Sequence, residues 1–319
     1  MPSRNEAARR AAEASDQNSA ASPAFSVAQR DITIATPDGF PLAGTLFEGS
    51  GDKPLVLISS ATAVPRGLYA AFARASVEAG AHAALIYDYR GTGGSTRPQG
   101  WKKRINMKDW ALLDLPAAAA ALDAAAPGRE MVGVGQSFGG QALGLCGISG
   151  RFRRYGMVAT MSGYLKNLND PWAGPRMTLV GVPLSFLFAD MPRWMRLGEP
   201  IPASVFRDWA RWCRHPDYFF GDASFAETAR YRNVRTPILA LGLTDDIWGT
   251  PKAVAALMKH YENAPIEERW ISPDDAGGQK IGHLGFFRSR FADMLWPEFI
   301  GWLLDSTAVT LGEKKSMST

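Results

Sequence analysis

The chain has 319 residues, 46% hydrophobic and 21% charged, with a net charge of +4. That length holds one large α/β core with room for an insertion, and the balance excludes a wholly disordered or fibrous chain. No run approaches the roughly 18 apolar residues of a membrane-spanning helix, and the N-terminus lacks the apolar stretch of a secretion signal. Cys146 and Cys213 make no disulfide framework, so a cytoplasmic protein is expected. The clusters Lys102-Lys103-Arg104 and Arg151-Phe152-Arg153-Arg154 read as solvated surfaces with no nucleic-acid recognition motif beside them.

Residues 1–24, rich in Ala, Ser and Arg, carry too little apolar surface to offset the entropy of ordering and read as a disordered tail. Glu6, Glu13 and Asp16 speak against a transit peptide. The alternation from Arg30 to Ala35, the Pro37-Asp38-Gly39 turn and the extended pattern from Phe40 to Phe47 predict an edge hairpin. Pro54 to Ile58 is short and wholly apolar, as a central parallel strand requires. A helix from about Gly67 to Ala79 and a second buried strand, Ala81 to Tyr87, follow. That strand ends in the glycine turn Asp88 to Ser95, which lacks the lysine of a phosphate loop.

Asp109 is read as the cap of a helix reaching Ala126, with Pro116 as an irregularity. The apolar run Met131 to Val134 then breaks through Gly135-Gln136-Ser137-Phe138-Gly139 into a helix reaching about Ile148, and a strand from Gly156 to Met161 comes next. Strand and helix in alternation predict a mostly parallel sheet with helices on both faces. From residue 162 to 235 the alternation stops, and tryptophans and prolines accumulate; this stretch reads as an inserted cap after strand 6. Alternation resumes with a strand from Pro237 to Leu243, a helix from Pro251 to Tyr261, a strand from Ile266 to Ile271 and a closing helix from about Phe286 to Leu304. The expected division is thus a core of 25–161 and 236–306, a cap of 162–235 and a flexible tail of 307–319.

The G-x-S-x-G spacing puts Ser137 on a sharp strand-to-helix turn, where a Cβ two residues before or after it would clash. The following helix aims unpaired N–H groups at the position of a developing oxyanion, so Phe138 is one expected donor. The other belongs to the loop after Pro54–Ile58; Ala61 is favoured, with Thr62 as the alternative. A serine hydroxyl needs a histidine to take its proton and a carboxylate to hold that histidine. Of the four histidines, His82 opens a strand at the far end, His215 lies in the cap and His260 falls late in a helix. His283, in the glycine-flanked loop after the last strand, sits at the carboxyl end of the sheet and is the expected base. For the acid, the loop after Leu243 offers Asp245 and Asp246, of which one can face the histidine.

With these pieces in place, residues from about 30 to 305 resemble an α/β-hydrolase of the bacterial group that includes monoglyceride-lipase-like and serine-aminopeptidase-like enzymes. The matching stretches are Asp88 to Ser95, Gly135 to Gly140, Gly242 to Asp246 and Gly282-His283. The resemblance implies the α/β-hydrolase fold and selects Asp245, three residues beyond Gly242, as the acid. A short loop that keeps Asp245 near the sheet edge and carries Asp246 outward agrees with that choice.

The expected activity is hydrolysis of a carboxylic ester or related acyl bond through an acyl-enzyme, with acyl transfer on the same residues as the alternative and a non-catalytic binding protein as a more distant one. The chemistry needs no cofactor or metal. The expected partner is a small, hydrophobic acyl substrate, and Trp194, Trp209 and Trp212 are the candidate pocket residues.

Overall fold

A computed structural model describes residues 27–195 and 198–305. The two terminal tails expected at 1–24 and 307–319 lie outside the described residues. An eight-stranded sheet runs in the order β1-β2-β4-β3-β5-β6-β7-β8. Its strands are β1 (Ala28–Ala35), β2 (Pro41–Glu48), β3 (Leu55–Ser59), β4 (Ala83–Tyr87), β5 (Met131–Gln136), β6 (Phe152–Val158), β7 (Ile238–Leu243) and β8 (Ile266–Ile271). Only the β1–β2 and β2–β4 pairings are antiparallel; the others are parallel. The expected hairpin is present, but β2 is an interior strand and β1 alone forms that edge.

All five residues of β3 and all six of β5 are buried, as strands covered on both faces must be. Because side chains alternate across a strand, Leu55 and Leu57 enter one hydrophobic core while Val56 and Ile58 enter the other. Helices α1 (Ala70–Glu78) and α6 (Ala292–Leu304) cover the second core; α2 (Leu115–Ala125), α3 (Phe138–Leu145) and α5 (Pro251–Met258) cover the first. Helix α4 (Ala203–Cys213) belongs to residues 162–235, whose described residues contribute no strand to the sheet.

Several boundaries depart from the sequence reading for local reasons. The cap ahead of α2 is Asn106, and Asp109 is its capping-box partner three residues on. Trp110–Asp114 then forms a π-helical turn, which accommodates the missing N–H and the bulk of Pro116 before α2 continues. The strand expected at Gly156 begins at Phe152. Helix α6 starts at Ala292 because a turn and a single 3-10 turn (Ser289–Phe291) intervene, burying Phe286 and Phe287 in the second core. Among the described residues, no helix is long and apolar enough to cross a membrane.

The Asp88 to Ser95 turn is a structural knot. Asp88 accepts hydrogen bonds from the Arg66 N–H at 2.7 Å and the Gly94 N–H at 2.9 Å. Buried Arg90 spans Asp114 and Asp38 at 2.7 and 2.8 Å. By gripping Arg66, the knot anchors the far end of the loop that begins at Ser60.

Candidate active site

Ser137 stands between β5 and α3 with φ 51° and ψ −112°, a conformation that costs a non-glycine residue energy and persists only when its surroundings hold it. They do so through close backbone contact. A Cβ on Gly135 would lie 2.3 Å from Gly139, and one on Gly139 would lie 2.1 Å from the Ser59 carbonyl oxygen. The Ser137 N–H donates to Val158 at 3.0 Å, and buried Tyr155 donates to the Gly139 carbonyl at 2.8 Å. Ser137 remains 8% exposed, and that exposure faces a cavity.

His283 lines the same cavity, on the loop after β8. Its Nδ1 lies 2.6 Å from Oδ2 of Asp246, so the carboxylate accepts the Nδ1 proton and Nε2 is left as the basic nitrogen. Asp246 is buried, which by itself raises a carboxyl pKa. The hydrogen bond and charge of His283, with the N–H groups of Gly249 and Trp248, outweigh burial and hold it below the usual carboxylate range.

The expectation that Asp245 orients the histidine is therefore corrected: Asp246 occupies that position. The loop curls rather than running outward. The Asp246 N–H donates back to the Leu243 carbonyl at 3.0 Å, a turn that swings the second aspartate in over the sheet end. Asp245 instead accepts the N–H groups of Ile281 and Gly282 at 2.8 and 2.9 Å, clamping the backbone just before His283. One carboxylate holds the loop and the next holds the ring. A Cβ on Gly249 would sit 2.4 Å from Asp246 Oδ2, so a glycine there leaves room for the inward carboxylate.

The oxyanion loop brings a second correction. The Ala61 N–H is already committed to the Tyr69 hydroxyl at 2.9 Å, so it has no free proton to offer an oxyanion. Thr62 also lines the cavity, and among the described residues no protein acceptor pairs with its N–H or with that of Phe138. The Tyr69 hydroxyl donates in turn to Gln136 Oε1 at 2.6 Å, and Gln136 Nε2 donates to the His283 carbonyl at 2.8 Å. This buried, one-way chain of hydrogen bonds joins the loop after β3, the residue before Ser137 and the loop that carries His283. Nothing in the spacing of Tyr69 and Gln136 announces it.

The cavity encloses about 510 Å³ and is walled mainly by apolar side chains from residues 162–235, among them Leu165, Met177, Met195 and Phe206. Trp194 and Trp209 line it as expected, but Trp212 does not. Trp212 is buried, stacks on Phe225 with ring centroids 5.3 Å apart and donates from Nε1 to Asp222 at 2.8 Å. It belongs to the packing of that segment. Trp248, absent from the sequence reading, meets the His283 ring at 5.0 Å and donates to Asp170 at 3.3 Å. The Asn169 N–H donates to Ile247 at 2.7 Å, and Thr250 Oγ1 donates to Asn167 at 2.6 Å, so the start of 162–235 is stitched to the loop after β7.

His82 bonds to Gly51, and His260 stacks on Phe220; neither lines this cavity. Among the described residues no group of three or more His, Cys, Asp or Glu side chains gathers where it could hold a metal.

The model of the Alpha/beta hydrolase family matches residues 55–292. No curated protein matches the chain in sequence. Similar solved structures include the peroxisomal alpha-beta-hydrolase Lpx1 of Saccharomyces cerevisiae (13% identity, 92% of this chain and 93% of that one, TM-score 0.56). Another is an esterase domain of a Rhodothermus marinus protein, at 17% identity over 86% of this chain and 97% of that one, with a TM-score of 0.54. A third is Est816, described as an N-acyl homoserine lactone degrading enzyme (17% identity, 85% and 98%, TM-score 0.52). At these identities the likeness is one of fold.

Proposed function

Because the chain belongs to the alpha/beta hydrolase family, we propose that it is a serine hydrolase that cleaves a carboxylic ester or related acyl bond through an acyl-enzyme on Ser137. The observation that carries this reading is one cavity lined by both a serine in a strained elbow and a histidine whose Nδ1 is held by a buried, ionised aspartate.

The Ser137 hydroxyl oxygen attacks the acyl carbon as His283 Nε2 takes its proton, and Asp246 stabilises the imidazolium that results. The carbonyl oxygen becomes an oxyanion received by the N–H groups of Phe138 and Thr62, beside the positive end of α3. Collapse of the intermediate breaks the bond to the leaving oxygen, which takes the proton from His283. Water then repeats the sequence, giving its proton to His283 and freeing the acid. The apolar wall around Ser137 suits a hydrophobic acyl or aromatic group and excludes water from the charged intermediate.

The test is a panel of p-nitrophenyl esters of rising chain length, run beside covalent labelling with a fluorophosphonate. Ser137→Ala is expected to abolish labelling and lower kcat by about a millionfold. Turnover that survives the substitution undiminished overturns the reading.

A further inference from the structure

Seven of the nine exposed large apolar side chains among the described residues fall between 172 and 194. Trp172, Leu179, Phe186, Leu187 and Trp194 are 63 to 76% exposed. Residues 177–189 hold no charged side chain at all. Helical turns run without a break from Ala173 to Leu184, and their inner face, including Met177, lines the cavity above Ser137. Their outer face is apolar as well. Arg176 is the one charged residue in these turns, and a helix otherwise apolar on both faces leaves apolar surface that water does not match.

The edges of this surface carry the features of a lipid-facing one. Tryptophan stands at each end, at 172 and 194, where an amphipathic ring suits the headgroup level. Of the charged side chains described between 172 and 194, Arg176 and Arg193 are exposed and so is Asp190, which leaves an excess of positive charge. Arg176 is 58% exposed while its partner Asp170 is 8% exposed, and Arg193 is 73% exposed against 29% for Glu199. The Arg207 guanidinium lies over the Phe186 ring at 4.9 Å. Val180 and Trp194 are at once exposed and part of the cavity wall, so the apolar exterior runs into the cavity mouth.

We propose that residues 172–194 seat the protein on an anionic lipid surface, with the cavity mouth opening against the lipid. An acyl chain would then pass from one apolar environment to another without crossing water. A second copy of the chain is the poorer occupant. An isologous contact would gather the exposed guanidiniums of both copies around one apolar face and close the mouth against substrate. The delivery of substrate rests on the hydrolase reading; the docking itself does not.

The experiment uses the full chain carrying Ser137→Ala, so that lipid is bound and not consumed. Co-sedimentation is measured with vesicles of phosphatidylcholine alone and of equal parts phosphatidylcholine and phosphatidylglycerol. Binding is expected on the mixed vesicles, weaker on phosphatidylcholine alone, with a blue shift of tryptophan emission. Leu179→Glu/Leu187→Glu, two residues outside the cavity wall, should weaken binding at least about tenfold. The same pair in the active chain should leave turnover of a water-soluble ester and the melting temperature unchanged. Absence of binding, or binding indifferent to this pair, overturns the proposal. So does a dimer that the pair converts to monomer in a protein that ignores vesicles, which would assign the surface to a second copy. Docking that persists in a chain found to lack ester hydrolysis would sink the hydrolase reading alone.

Discussion

Around Ser137 the protein fixes its side chains through the main chain. The elbow depends on backbone atoms so close that Gly135 and Gly139 admit no Cβ, and the histidine loop is pinned at 281, 282 and 283 by backbone hydrogen bonds to Asp245 and Gln136. Residues 162–235 also use backbone hydrogen bonds, such as Asn169 to Ile247 and Met191 to Ile201, but rely more on side-chain packing. Their short helical turns are joined by aromatic contacts, such as Trp212 on Phe225 and Phe219, and part of their apolar surface is left in solvent. The contrast separates two tasks. A reacting group must be placed to within a fraction of an ångström, which backbone hydrogen bonds do. A cavity wall needs only shape and apolarity to fit an apolar group, which side chains supply and can change.

The largest loss among the side chains that support Ser137 is expected at the two aspartates. Asp246→Asn leaves the size of the site unchanged but offers His283 Nδ1 a partner that permits the wrong tautomer, and kcat is expected to fall about ten-thousandfold. Asp245→Asn removes charge from a backbone clamp, with an expected loss of about tenfold. Both are measured on one activated ester; equal losses would mean that the histidine needs both carboxylates equally. Stability gives an independent readout. The Asp246 carboxyl has a folded-state pKa below its unfolded value, so its stabilisation is present above about pH 4 and is lost as the pH falls through the folded value. Urea midpoints of the parent and Asp246→Asn should therefore differ most near neutrality and converge in acid.

A smaller effect is expected from the chain that joins the Ala61 N–H, the Tyr69 hydroxyl, Gln136 and the His283 carbonyl. Gln136→Met keeps the volume but severs the link to His283, and kcat should drop about tenfold to a hundredfold with KM little changed. Since both residues act through one chain, Tyr69→Phe/Gln136→Met should be no worse than the poorer single variant. Additive losses would show that the two tyrosine and glutamine contacts work separately.

What the sequence made legible follows the same division. Buried strands read as unbroken apolar runs, the elbow as glycine spacing, and the histidine as the one at the carboxyl end of the sheet, because each depends on local chain geometry. The choice between Asp245 and Asp246 depended on a turn that returns the Asp246 N–H to Leu243, and one residue of register reverses which side chain points inward. Ala61 and Thr62 are separated only by the Tyr69 hydroxyl, which arrives from eight residues away. In 162–235 the composition set the stretch apart from the strand and helix alternation, but which tryptophan faces the cavity depended on tertiary packing.

That last ambiguity gives the smallest effect and the most direct test of what the covering segment does. Trp209 lines the cavity, whereas Trp212, one helical turn along α4, is buried against Phe219 and Phe225 and anchored to Asp222. The two rings differ in what they touch, although both are tryptophans on the same short helix. Trp212→Ala should cost about 3 kcal/mol or more of stability, from lost packing against Phe219 and Phe225, with the relative kcat/KM among esters unaltered in the protein that remains folded. Trp209→Ala should leave most of the stability in place and shift the preference between short and long esters by about tenfold or less, the range that apolar contacts with a substrate supply. A shifted ester profile in Trp212→Ala and an unshifted one in Trp209→Ala would reverse the assignment. In that case the apolar wall over Ser137 would be reorganised when substrate binds, and shape complementarity would belong to a different arrangement of 162–235.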